Sequence, residues 1–83
     1  MRRALGKYIV VDSEICHGQP TFKGTRVMVK DVLNQVSRGI DWETIVYEWR
    51  GSVPKAAIAE AVRLAREAFL DRVGEVAAES GAK

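Results

Sequence analysis

The stretch Cys16-His17-Gly18-Gln19-Pro20-Thr21-Phe22-Lys23-Gly24-Thr25-Arg26 divides the chain into a front rich in β-branched residues and a back with helical periodicity. Glycine opens positive φ and proline fixes φ, so two glycines and a proline in this span specify the backbone path closely. The only cysteine and the only histidine fall in the same span, beside the cluster Lys23-Gly24-Thr25-Arg26. Three readings compete for it: a catalytic loop, a phosphate cradle, or the joint of a small binding domain.

On its N-terminal side, Tyr8-Ile9-Val10-Val11, closed by Asp12-Ser13, reads as a strand. On its C-terminal side Arg26-Val27-Met28-Val29 reads as a second, giving a short two-stranded β ribbon. A lone ribbon is marginal in water, so this one must pack on helices or pair with another chain. Beyond it the apolar period becomes helical. Val32, Leu33 and Val36 mark a helix from Lys30 to Arg38, with Gly39 just past its end. Asp41 is an N-cap for a second helix carrying Ile45, Val46 and Trp49, which Arg50-Gly51-Ser52 breaks. Pro54 suits the first turn of a third helix, with Ser52 or Val53 at the cap. That helix is the longest. Its stripe Ile58, Val62, Ala65, Phe69 is widened by Ala57, Ala61, Leu64 and Ala68, and continues through Leu70, Val73 and Val76. Two readings of this wide face stay open: a buried core helix, or one whose far end packs on a second subunit or partner.

A chain of 83 residues is one domain, 1–83, too small to spare core for a large internal cavity. Added burial through a homodimer or a partner is expected. No apolar run approaches membrane-spanning length and Met1-Arg2-Arg3 is not followed by a signal-peptide core, so a cytoplasmic protein is expected. A single cysteine forms no internal disulfide, which fits a reducing compartment. The net charge of +2 is uneven. Residues 1–38 hold seven bases and three acids, and residues 39–83 six bases and eight acids, so the front is +4 and the back −2. A basic front suits nucleic acid or an acidic protein. Residues 80–83 read as a frayed end.

Each chemical reading of the opening segment meets an obstacle. Neighbours in an extended segment point to opposite faces, so Cys16 and His17 are badly placed for nucleophile and base, and nothing identifies an orienting carboxylate. Two soft ligands do not close a tetrahedral zinc site, and no metal or cofactor is expected. Gly18 and Lys23-Gly24-Thr25 lack the Gly-before-Lys order of a phosphate-binding loop. Thr25 can bond local backbone beyond the Gly24 turn, and Arg26 can anchor a carboxylate or cap helix carbonyls. An enzyme is therefore not expected. Three short helices with a tight break before the last suit a helix-turn-helix. The start of its last helix, Pro54-Lys55-Ala56-Ala57-Ile58-Ala59-Glu60, is poor in base-reading side chains. Candidate DNA contacts are Lys55, Arg63 and Arg66, with Lys23 and Arg26 besides, directed at phosphates more than bases.

The run from Tyr8 to Val29, with Cys16-x-Gly18-x-Pro20 followed by Lys23-Gly24-Thr25-Arg26-Val27-x-Val29, resembles the family called domain of unknown function 433. The resemblance covers about residues 8–70 and extends to Gly39-Ile40 and to Ala57-Ile58-Ala59-Glu60-Ala61-Val62. Cys16, Gly18, Pro20, Gly24, Thr25 and Arg26 are its structural motif. It implies a mainly α, homeodomain-like three-helix bundle with a short β ribbon, and no catalytic residue. Some members are similar to VapB-type antitoxins, encoded beside a PIN-like ribonuclease toxin. Here His17 replaces a small residue, often glycine, Met28 stands where proline is common, and Trp49-Arg50-Gly51-Ser52 replaces a tyrosine–proline segment.

The expectation drawn from this resemblance is a dimeric antitoxin whose helix extension, residues 70–79, holds the toxin through Leu70, Val73 and Val76. Arg72 is placed to reach the toxin's metal-binding carboxylates, and operator DNA is a further expected partner. The alternatives are a stand-alone DNA-binding regulator and a plain dimerisation module.

Overall fold

The computed structural model describes residues 1–81; Ala82 and Lys83, from the expected frayed end, lie outside the described residues. Three strands, β1 (Arg2–Ala4), β2 (Ile9–Asp12) and β3 (Thr21–Phe22), precede three helices, α1 (Val29–Ser37), α2 (Trp42–Glu48) and α3 (Lys55–Gly81). The backbone of Ser80 and Gly81 thus belongs to α3. No helix among the described residues is long and apolar enough to cross a membrane.

The expected two-stranded ribbon is a three-stranded antiparallel sheet of order β1-β2-β3. Arg2, Arg3 and Ala4 pair with Asp12, Val11 and Val10, while Phe22 and Thr21 pair with Ile9 and Val10. The run Arg26–Val29 is not a strand. It touches the sheet through one bridge between Thr21 and Met28, where Phe22 N–H donates to the Val27 carbonyl (3.0 Å) and Val29 N–H to that of Pro20 (2.9 Å). Its β-branched residues carry the right propensity, but Met28 is already the N-cap of α1 and the Val29 side chain is buried as the first helical residue. The strand partner is instead the shorter pair before the Gly24 turn.

The helix boundaries follow from caps. Asp41 accepts from Thr44 N–H (3.1 Å) and from the Thr44 hydroxyl (2.8 Å), closing the first turn of α2. These bonds hold the Asp41 carboxyl below its ordinary value, the Thr44 hydroxyl contributing most. Helix α1 ends in a left-handed C-terminal motif: Gly39 (φ 82°) donates to Val36 and Ile40 to Gln35. Helix α2 ends the same way, with Gly51 donating to Val46 and Arg50 to Tyr47. Here Arg50, at φ 55°, occupies the position that Gly39 holds in α1. Pro54 lies one residue earlier than expected. Its carbonyl accepts from Ala57 (2.9 Å) and Ile58 (3.1 Å), so it precedes the first turn of α3, and Val53 is wholly buried.

Ile9 and Phe22 share one face of the sheet and pack on Val29, Val32, Ile45, Val53, Ala57, Ile58 and Ala61. Trp49 Nε1 donates to Gln35 Oε1 (2.8 Å), tying α2 to α1. Only the beginning of α3 belongs to this core. Val62, Leu64 and Ala65 are half-buried, and every residue from Arg66 to Ala78 is exposed. A 27-residue helix is about 40 Å long, which accounts for most of the 51 Å long axis of the molecule.

Candidate functional site

The segment between β2 and β3 is not extended. Cys16, His17 and Gly18 have φ of 51°, 58° and 80°, forming a single left-handed turn. Gly18 N–H donates to the Ile15 carbonyl (3.0 Å) and Gln19 N–H to that of Cys16 (3.1 Å). The premise that Cys16 and His17 point to opposite sides of a strand is therefore corrected. The Cys16 thiol donates to the Arg26 carbonyl (3.5 Å), linking the two ends of the segment, and His17 is exposed. Among the described residues, no group of three or more His, Cys, Asp or Glu is placed to hold a metal.

A reverse turn follows β3. Thr25 N–H donates to the Phe22 carbonyl (3.0 Å), and Gly24 supplies the positive φ of 79° that such a turn requires. The Thr25 hydroxyl donates to the Phe22 carbonyl (2.8 Å) and accepts from Val27 N–H (2.9 Å), tying the chain as it leaves the turn. Among the described residues the Arg26 guanidinium contacts neither a carboxylate nor a helix carbonyl.

These two turns flank a cleft of about 450 Å³. Strand alternation puts Val10 and Thr21 on the sheet face opposite to Ile9 and Phe22, together with the paired residues Arg2 and Asp12. Val10 and Thr21 are nevertheless buried and line the cleft, whose walls also include Ile15, Lys23 and Arg26. Thr21 Oγ1 has no hydrogen-bond partner among the described residues. Arg2, Lys23 and Arg26 make no ion pair there either. Sequence reading picked out Lys23 and Arg26 but not Arg2, Asp12 or Thr21, which only the strand register brings beside them.

The remaining DNA candidates lie along α3. Lys55 Nζ is 3.1 Å from Glu43, and Arg63 bridges Glu60 (3.6 Å) and Glu67 (3.7 Å). Arg66 is exposed without an ion pair among the described residues. The five cations do not form one patch: Lys23 and Arg26 line the cleft, which the three from α3 do not reach.

Beyond Ala65 the apolar stripe of α3 faces solvent. Phe69, assigned by spacing to the packed stripe, is 65% exposed, with Leu70 at 55%, Val73 at 46% and Val76 at 53%. Arg72 is exposed on the same stretch. Residues 69, 73 and 76 follow helical spacing, so these side chains form one strip.

Glu60 escaped the sequence reading. It is 7% exposed, and its two carboxylate oxygens accept from Lys7 N–H (2.9 Å) and Tyr8 N–H (2.7 Å). The legible signal was one acid inside the apolar stripe Ala57, Ala61, Leu64. Gly6 lies directly against this carboxylate.

The family model described as Protein of unknown function (DUF433) matches residues 9–65. That span opens with β2 and closes at the last half-buried residue of α3. No curated protein and no solved structure matches the chain.

Proposed function

We propose that this chain, which belongs to the family described as Protein of unknown function (DUF433), is the antitoxin of a type II toxin–antitoxin pair. In this reading the distal half of α3 occupies a groove of a PIN-like ribonuclease. The observation that carries it is the strip Phe69, Leu70, Val73, presented to solvent on a helix that has already left its own core. Exposed apolar strips at helical spacing mark helix-in-groove recognition, since their burial has no other source in the domain. Arg72, free of ion pairs among the described residues, is the side chain that reaches the nuclease's metal-binding carboxylates. The chain is the inhibitor and not a catalyst, acting in the cytoplasm.

A helix-turn-helix role for α2 and α3, with operator binding, is the second element of the proposal. Lys55 and Arg63 are already engaged by acids, so phosphate contact there competes with existing ion pairs. The expected homodimer would pair through the 8–70 module, which leaves the distal α3 strip open to the toxin.

Co-expression with the adjacent gene product tests the reading. The expected result is a stoichiometric complex with suppressed ribonuclease activity. Leu70→Ser with Val73→Ser should abolish the complex while leaving the melting temperature of the free chain within about 2 °C, since exposed positions contribute little to stability. No stable complex, or unchanged nuclease activity on mixing, overturns it. A salt-dependent shift of promoter DNA by the chain alone would then favour the stand-alone regulator.

A further inference from the structure

We propose that the cleft on the helix-free face of the sheet binds a small phosphate monoester, gripped by Arg2, Lys23 and Arg26. The cleft shares no residue with the distal half of α3, so this site is independent of the toxin reading.

Charge is the first ground. β1 contributes Arg2 and the Gly24 turn contributes Lys23 and Arg26, all to one cavity and none with an ion pair among the described residues. All three are exposed at the rim, so water and salt screen their mutual repulsion, while an anion seated among them is attracted by each. The one acid there is Asp12, and its Oδ1 already accepts from Glu14 N–H (2.9 Å). A surplus of two positive charges matches a phosphate dianion better than a carboxylate. Two guanidinium forks and an ammonium are the side chains best shaped to hold one.

The second ground is Thr21. Buried hydroxyls are almost always hydrogen-bonded, yet Thr21 is 1% exposed and its Oγ1 has no partner. It lies on the cleft-facing side of β3 with its Oγ1 sealed beneath the cleft floor, where a phosphate oxygen would satisfy it once the rim side chains close around the ligand and the floor opens by about one atom's width. Size and lining give the third ground. About 450 Å³ is within the range of small-molecule sites, and Val10 and Ile15 supply an apolar wall beside the cations. The second oxygen of Asp12 is available to a hydroxyl on the organic part of the ligand. Side-chain cations do the holding, not a glycine-rich run of amides, so the residue order that excludes a phosphate-binding loop does not bear on this site.

The rim is built to stay in place. The Cys16 thiol ties one wall to the Arg26 carbonyl, and the Thr25 hydroxyl bonds both sides of the turn that carries Lys23.

Amide chemical shifts of the full chain, titrated with adenosine 5′-monophosphate and ribose 5-phosphate, test the site. The expected result is saturable shifts at Arg2, Asp12 and Thr21–Arg26, with adenosine and inorganic phosphate each binding at least about tenfold more weakly than the nucleotide. Lys23→Gln with Arg26→Gln should weaken binding by about tenfold or more, the loss of charge-assisted hydrogen bonds. Thr21→Val should also weaken it by about tenfold while leaving the melting temperature of the free chain unchanged or raised. A structural hydroxyl would lower that temperature instead. The proposal is overturned if neither phosphate ester shifts these amides, or if the shifts survive the double variant. It is equally overturned if inorganic phosphate binds as tightly as the esters, or if duplex DNA shifts these residues and the esters do not.

Discussion

His17 and Met28 stand near the two ends of the segment joining sheet to helices, and each holds backbone angles that another residue type takes more readily. His17 has φ 58° and ψ 32°, a left-handed conformation that strains any residue with a Cβ by about 1–2 kcal/mol. Glycine, which has no Cβ, removes that strain. Met28 has φ −77° and ψ 136°, within proline's range, and its N–H enters none of the backbone bonds around the bridge. The Val27 carbonyl accepts from Phe22 N–H of β3, a bond that proline at position 28 leaves intact. His17→Gly is therefore expected to stabilise by about 1 kcal/mol. Met28→Pro should add about 0.4–1 kcal/mol by narrowing the unfolded ensemble. Thermal denaturation reads both, at about 4–8 °C per kcal/mol for a domain of this size. A fall in melting temperature for His17→Gly would show that the imidazole makes a stabilising contact outweighing its backbone strain.

At the scale of elements, the helices were legible because their ends are written locally. Asp41 caps, Gly39 terminates, and the apolar period between them is unambiguous. The sheet was not, because its pairing is non-local. Arg2-Arg3-Ala4 has no apolar alternation and is wholly exposed, so only hydrogen bonding to β2 makes it a strand. Thr21-Phe22 is two residues beside a proline, too short to carry a pattern, whereas Val27-Met28-Val29 carried one and spends it on entering α1. The cleft was half legible for the same reason: its turn residues are adjacent in sequence, and Arg2 arrives through the register. The Asp41 cap also gives α2 a pH dependence. Its carboxyl titrates lower in the folded chain than in the unfolded one, so its stabilising contribution is complete above the ordinary Asp pKa, near ~4. That contribution is lost as pH falls through the lowered folded value. Asn caps helices about as well as Asp but does not titrate. Asp41→Asn should therefore match the parent at low pH, be less stable or equal at neutral pH, and flatten the acid limb of a melting-temperature profile. An unchanged acid limb would assign that limb to other carboxylates.

For the whole molecule, the sheet layer and the helix layer are joined by a polar contact as well as by the apolar core. Glu60 reaches from α3 to the β1–β2 loop and accepts from two consecutive amides, Lys7 and Tyr8, at 2.9 and 2.7 Å. Both amides are part-buried, and among the described residues the sheet strands give the buried core two side chains, Ile9 and Phe22. Gly6 completes the joint: a Cβ there would lie 2.6 Å from Glu60 Cδ, which no packing tolerates without a shift. Glu60→Gln offers one acceptor where two are needed and turns an NH2 toward an N–H. The expected loss is about 1–3 kcal/mol, the range for hydrogen bonds to a charged group, with part-buried donors set toward its lower end. Gly6→Ala pushes the same carboxylate off the same amides, so its cost should largely overlap with that of Glu60→Gln. In a double-mutant cycle the two should be non-additive by at least about 1 kcal/mol, because they disrupt one contact. Hydrogen exchange supplies the spatial readout: both variants should lose protection at Lys7 and Tyr8 before α1 or α2 does. Additive losses, or protection at those amides unchanged in Glu60→Gln, would place the coupling of the layers in the apolar contacts alone.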